Sequence, residues 1–301
     1  MSDVYFINRK TKQQEKEQIL CKTCLEMLYH KNPFSWFFRT LLCKLPIFSR
    51  IFGRLQMRPS SRKKIQPFIQ KYSIDAAEFL DPPETFPTFN DFFIRKLKPS
   101  ARPISNGNDV AILPADGRYL VFQNIHHEEG FLVKGKKFSL EALLGDSKLA
   151  HKYAHGTLIM IRLAPVDYHR FHFPCNCVPG EPKLINGPLF SVNPIAIRKN
   201  IDILTENKRV ITHLKTHHFG TVLFTEVGAT NVGSIIQTFE PEKHYAKGDE
   251  KGYFSFGGSC ILILFEPARI QLDQDLIQNT QHGFETLGNL GQTLGRALSP
   301  I

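Results

Sequence analysis

The stretch Tyr253-Phe254-Ser255-Phe256-Gly257-Gly258-Ser259-Cys260, running into Ile261-Leu262-Ile263-Leu264-Phe265, constrains this chain most. Apolar and aromatic residues flank a Gly-Gly-Ser turn, the pattern of two β-strands joined by a tight bend with a hydroxyl at its tip. Glycine admits positive φ and lets other groups approach the backbone closely. A serine after two glycines can meet an external base or its own preceding carbonyl. A hairpin turn with an incidental serine also fits these residues. The rest of the chain has to decide.

Charge supplies the second constraint. No acid lies between Glu26 and Asp75, yet that window holds Lys31, Arg39, Lys44, Arg50, Arg54, Arg58, Arg62, Lys63, Lys64 and Lys71. Those basic residues equal the whole net charge of +10, so the excess belongs to one N-terminal segment. Within it, Phe34, Trp36, Phe37, Phe38, Leu41, Leu42, Ile47, Phe48, Ile51 and Phe52 interleave with Arg39, Lys44, Arg50 and Arg54. Bulky apolar groups mixed with basic ones suit a membrane interface, and packing on the protein's own core is the competing reading. Pro46 divides the segment into two short helices. No run of 18 apolar residues exists, so no bilayer span is expected, and the polar start Met1 to Gln18 reads as neither signal nor transit peptide.

Residues from Lys10 to about Lys71 read as mostly helical, followed by short helices at Ile65 to Tyr72 and Ala76 to Leu80. Thr88 or Asn90 is positioned to cap another through Leu97. From Arg102 onward the texture changes to short β-like runs: Val110 to Leu113, Tyr119 to Phe122, Phe131 to Lys134, Gly156 to Leu163, Gly220 to Val227, Ser234 to Phe239 and Tyr253 to Phe265. The expected class is α+β, with a helical N-terminal membrane-associating region over 1–100 and a β-rich catalytic domain over 101–301. Six cysteines without a regular framework point to free thiols in a reducing compartment.

Besides Ser259, three groups are candidates for chemistry. Pro114-Ala115-Asp116-Gly117 puts an acid at a strand end, as an ordinary Asx turn also would. Asp167-Tyr168-His169-Arg170-Phe171-His172 holds two histidines in a loop bracketed by Pro165 and Pro174, suited to proton transfer near neutral pH. Cys175 and Cys177 follow closely, so His169, His172, Cys175 and Cys177 also form a candidate zinc set, although the spacing matches no familiar site. Lys134-Gly135-Lys136-Lys137-Phe138, with Arg95, Lys96 and Lys98, is a basic group that suits phosphate contact or a solvated surface. No P-loop, dinucleotide fingerprint or nucleic-acid motif is present. Ser259 sits between strands, unlike the strand-to-helix elbow of α/β hydrolases, and so suits attack on its own backbone.

These residues resemble the phosphatidylserine decarboxylases, which make their own pyruvoyl group. The resemblance rests on Phe89-Asn90-Asp91-Phe92-Phe93-Ile94-Arg95-Lys96-Leu97, Pro114-Ala115-Asp116-Gly117, and Val133 to Leu140. It continues through Asp167-Tyr168-His169-Arg170-Phe171-His172, Leu189-Phe190-Ser191-Val192-Asn193-Pro194, and Lys247-Gly248-Asp249-Glu250 before the Gly-Gly-Ser turn. One departure is Cys260, where family members commonly carry Ser or Thr.

The resemblance implies two reactions. In the first, Asp116 orients His172, which takes the proton of Ser259 for attack on the Gly258 carbonyl. The chain separates into a β chain of 1–258 and an α chain of 259–301, expected to stay together through one shared sheet. Ser259 becomes a covalent pyruvoyl cofactor. In the second, that group forms a Schiff base with phosphatidylserine, carbon dioxide leaves, and phosphatidylethanolamine results, with His169 as the proton donor. No metal and no nucleic acid are implied. An anionic membrane surface on the cytoplasmic side is the expected partner, and homo-oligomerisation stays open. The alternatives are a membrane-binding protein whose turn is never cut and a zinc enzyme.

Overall fold

In the computed structural model, residues 3–18, 51, 53–125, 139–197, 199–229, 235–257 and 259–298 are described. Most of the basic aromatic segment, the expected strand at 131–134, the basic cluster Lys134 to Phe138, and Gly258 lie outside the described residues.

In chain order the first strands are β1 (Tyr5–Asn8), β2 (Gln14–Lys16), β3 (Val110–Ile112), β4 (Gly117–Phe122) and β5 (Thr157–Leu163). Next come β6 (Arg170–His172), β7 (Cys177–Pro179), β8 (Lys183–Ile185), β9 (Arg209–Thr216), β10 (Thr221–Gly228) and β11 (Ile235–Gln237). The last are β12 (Glu250–Phe254), β13 (Ser259–Phe265), β14 (Ile270–Leu272), β15 (Glu285–Gly288) and β16 (Thr293–Ala297). The main sheet runs β2-β1-β15-β4-β5-β13-β10-β9-β7, with β8 also on β9. Two smaller sheets run β11-β12-β6 and β14-β16-β3. Strand-rich α+β architecture is what the sequence led one to expect.

β13 explains the apolar run Ile261 to Phe265. It lies between β5 and β10, and every residue in it is buried. Ile261, Ile263 and Phe265 join a core with Ile159, Ile161, Phe224 and the small-sheet aromatics Phe171 and Phe254. Cys260, Leu262 and Leu264 join a second core with Met160 and Leu223, and with Leu143, Tyr153 and Leu204 from helices. A strand covered on both faces reads as continuous hydrophobics rather than alternation.

The Gly-Gly-Ser stretch is not the hairpin its flanks suggested. β12 pairs with β11 and β6, whereas β13 has both edges occupied by β5 and β10, so the bend crosses from the small sheet to the main one. The expected reason for two products staying together therefore changes: the strands on either side of the expected cut lie in different sheets. What ties residues 259–298 to the remainder is β13 between β5 and β10, β15 beside β4 and β1, and β16 beside β3.

The helical expectation from Lys10 onward fails at β2, where Gln14–Lys16 pairs with Tyr5–Ile7 and β1 joins β15 in parallel. Ile65–Tyr72 is helical as expected. Thr88 caps the helix Phe89–Phe93, its hydroxyl accepting from the Asp91 amide at 3.2 Å. That helix stops four residues short of Leu97, and Phe89, Phe92 and Phe93 form a third core with Ile65, Phe79 and Phe256.

Candidate active site around Ser259

Ser259 opens β13 opposite Leu163 of β5 and Gly228 of β10, and its residue is wholly buried at 0 % exposure. The approach to it is held by the Phe89–Phe93 helix. The Asn90 side-chain oxygen accepts from the Phe256 amide at 3.1 Å, and the Phe256 ring lies 5.3 Å from that of Phe89 and 4.8 Å from that of Phe93. Gly257 then adopts φ 141°, a conformation that favours glycine.

The histidine loop follows β5. Its turn is closed twice, by the Ala164 amide donating to the Asp167 carboxylate at 2.6 Å and the Asp167 amide donating to the Ala164 carbonyl at 2.9 Å. Arg118 of β4 ion-pairs with the same carboxylate. Burial raises the Asp167 carboxyl, with the Arg118 charge opposing the rise. The turn aims the Ala164 carbonyl at His169 Nε2, 3.0 Å away. A carbonyl only accepts, so Nε2 carries the hydrogen and Nδ1 is bare. That bare nitrogen lies 3.4 Å from Ser259 Oγ. Phe93 stacks on the imidazole at 3.9 Å, and burial, reinforced by the Arg95 charge, pushes its pKa down to about 3.

His172 and Asp116 are placed differently. His172 Nδ1 donates to the Gly248 carbonyl at 2.9 Å, and Nε2 accepts from the Tyr168 hydroxyl at 3.3 Å. Gly248, at φ 90°, turns that carbonyl inward, which gives the Lys247-Gly248-Asp249 motif a purpose. Burial lowers the His172 pKa, while Gly248, Glu250 and Asp116 act against the fall. The Asp116 carboxylate accepts from Arg102 at 2.6 and 2.9 Å and from the Leu290 amide at 2.8 Å. The Asp116 loop and His172 are stitched together by backbone, the His172 amide donating to the Pro114 carbonyl at 2.8 Å. Thus Ser259 and His169 are brought into contact, and Asp116, His172 and Ser259 share no direct hydrogen bond.

Both thiols of the zinc alternative lie in the apolar core, and burial pushes Cys177 up to about 12. Both ring nitrogens of His169 and of His172 are engaged by protein groups. Cys260 faces the helical side of the sheet, away from Ser259, with its thiol also pushed up to about 12. Arg95, expected to contact phosphate or to lie on a solvated surface, is instead buried against Phe79 and Phe92. Sequence reasoning missed Asn90, Arg102, Arg118 and Asp167 as supports. The signal for Arg118 was a charge inside a run of otherwise apolar strand residues.

A family model described as phosphatidylserine decarboxylase matches residues 89–296. The chain belongs to the phosphatidylserine decarboxylase family. Relatives of that family extend the likeness to nearly the full length. A phosphatidylserine decarboxylase proenzyme of Chlamydia pneumoniae is 50% identical over 297 residues, covering 99% of this chain and 98% of the relative. Those of Chlamydia felis and of Chlamydia trachomatis serovar D are 48% and 46% identical, each covering 99% of this chain and 99% and 98% of the relative. The family match contains Asn90, Asp116, Asp167, His169, His172 and Ser259, so the whole site lies within it.

Proposed function

We propose that this chain is a precursor that cuts itself between Gly258 and Ser259 and then converts phosphatidylserine to phosphatidylethanolamine. The observation that carries the reading is a serine hydroxyl buried at 0 % exposure, 3.4 Å from a bare imidazole nitrogen, at the end of a turn held by Asn90. Burial keeps water from the hydroxyl.

In the first reaction Ser259 Oγ adds to the Gly258 carbonyl carbon, the peptide nitrogen leaves as an amine, and an ester replaces the amide. Elimination breaks the Ser259 Cβ–Oγ bond, leaving a Gly258 carboxylate and a dehydroalanine at 259. Tautomerisation and addition of one water release ammonia. Asp116 and His172 are proposed as the relay that accepts the hydroxyl proton: burial and Arg170 lower the His172 pKa, and Gly248, Glu250 and Asp116 oppose that fall. His169 faces Arg95 and Arg118, which disfavour a positive ring. The relay engages when His172 Nε2 exchanges the Tyr168 hydroxyl for Ser259, while His169 orients the hydroxyl.

For the second reaction, a residue 259 shielded from water with a histidine in contact fits a pyruvoyl group there. That group supplies a carbonyl for a Schiff base with the substrate amine and a sink for the electrons left by carbon dioxide. His169, already against residue 259, delivers the proton that replaces the carboxylate. The basic aromatic segment of Pro33 to Met57 attaches the protein peripherally to an anionic bilayer, where the substrate resides.

The test is incubation of purified protein with carboxyl-labelled phosphatidylserine in mixed micelles, followed by borohydride. Labelled carbon dioxide, with lipid amine fixed to the smaller chain, supports the proposal. Cleaved protein that releases no carbon dioxide sinks the second reaction.

A further inference from the structure

The hairpin of β1 and β2 ends in Glu17, 7 % exposed and deep beside the main sheet. Both Glu17 oxygens accept from Arg162, at 2.9 and 2.7 Å, and Arg162 also meets Glu285 at 2.6 Å. Arg162 and Arg118 are cross-strand neighbours on β5 and β4, both buried. Two adjacent buried guanidiniums require shared anions, since an uncompensated charge there is costly. Glu17 reaches Arg118 as well, 3.9 Å from its Nε, and the Phe6 ring of the same hairpin lies 5.2 Å from that guanidinium. Arg118 in turn holds Asp167, Asp167 closes the Ala164 turn, and the Ala164 carbonyl holds His169 Nε2.

We infer that Glu17 is a positioning residue for His169: it seats Arg118 on Asp167 and so fixes the carbonyl that leaves His169 Nδ1 bare toward Ser259. The hairpin thereby belongs to the catalytic unit, although the family match begins at residue 89. Removing the Glu17 charge takes the cluster from three carboxylates to two, leaving Arg162 with Glu285 and Arg118 with Asp167 and no anion shared between the two guanidiniums. The adjacent guanidiniums then repel without the carboxylate they shared, Arg118 loses its seat on Asp167, the Ala164 turn loosens, and the imidazole samples both neutral tautomers. The inference rests on the reading of His169 given above.

The test uses Glu17→Gln, Asp167→Asn and the double variant, with two readouts. Ring-nitrogen NMR of histidine-labelled protein is recorded on uncut precursors carrying Ser259→Ala, so it needs no activity. Turnover of processed protein is measured per pyruvoyl group. Glu17→Gln should convert His169 from a single Nε2–H tautomer to a mixture, and lower kcat by about tenfold with KM within about twofold. The double variant should be no slower than Asp167→Asn alone, because both changes act along one path. A retained single tautomer, or losses that multiply, would overturn the inference. If Glu17→Gln does not fold, Glu17→Asp keeps the charge and should keep the tautomer; a mixture there counts against it. An inactive wild type would instead sink the proposed function, leaving the NMR comparison to judge Glu17.

Discussion

Ser259 Oγ lies 3.4 Å from His169 Nδ1, while His172 turns its open nitrogen to the Tyr168 hydroxyl. Contact thus singles out His169, whereas the proposed relay uses His172. The proposed division of labour separates them by reaction.

His172→Ala should slow self-cleavage by about a hundredfold or more, the usual cost of a lost acid–base group. His169→Ala should still cleave, and its processed form should lose decarboxylation by about the same factor. A gel time course and carbon dioxide release measure the two. An uncut His169→Ala beside a normally cut His172→Ala would reverse the assignment.

Burial holds His169 at about 3, against an ordinary value of 6.5. Below about 6.5 the unfolded chain binds a proton that native His169 refuses, so its contribution to stability is full above that pH and is lost on the way down to 3. The loss amounts to roughly 1.4 kcal/mol per pH unit. Urea unfolding of the Ser259→Ala precursor at pH 7 and pH 5 should therefore show about 2 kcal/mol more acid destabilisation than the same protein with His169→Gln. Equal losses would contradict the neutral, buried imidazole.

The Phe256 amide donates to the Asn90 side chain. Asn90→Leu should destabilise the precursor by about 1 kcal/mol and slow cleavage by about tenfold, because it removes this hydrogen bond close to the proposed cleavage site. Thermal unfolding and cleavage half-time are the measurements. A wild-type half-time would show that Asn90 does not hold the turn.

Lys251, eight residues before Ser259, is wholly buried and meets Glu226 at 2.5 Å, Gln237 at 2.8 Å and Thr212 at 3.0 Å, so it ties β12 to the main sheet. Lys251→Met should cost about 3–5 kcal/mol by leaving the Glu226 charge unpaired, and adding Glu226→Met should recover much of that. Urea unfolding of the single and double variants checks it. Additive losses would mean that the pair is not coupled.

Much of this site was legible in the sequence because its parts are local. Glycines before Ser259, two histidines within four positions, and an unbroken apolar run each leave a short-range signature. Pairing partners do not. Nothing in residues 250–265 states that β13 has both edges filled, which is what sends β12 into another sheet. The polar Gln14–Lys16 strand lacks apolar alternation and takes its place from its partner β1. The Arg102 partner of Asp116 and the Asn90 partner of Phe256 lie 14 and 166 residues away from them. Only the folded chain brings them together.

The central claim is self-cleavage before Ser259, and intact mass of the purified protein beside Ser259→Ala tests it most directly. The account predicts two chains for the wild type, residues 1–258 and 259–301, with a pyruvoyl group blocking the start of the smaller, and one uncut chain for the variant. A wild type that stays in one piece would contradict it.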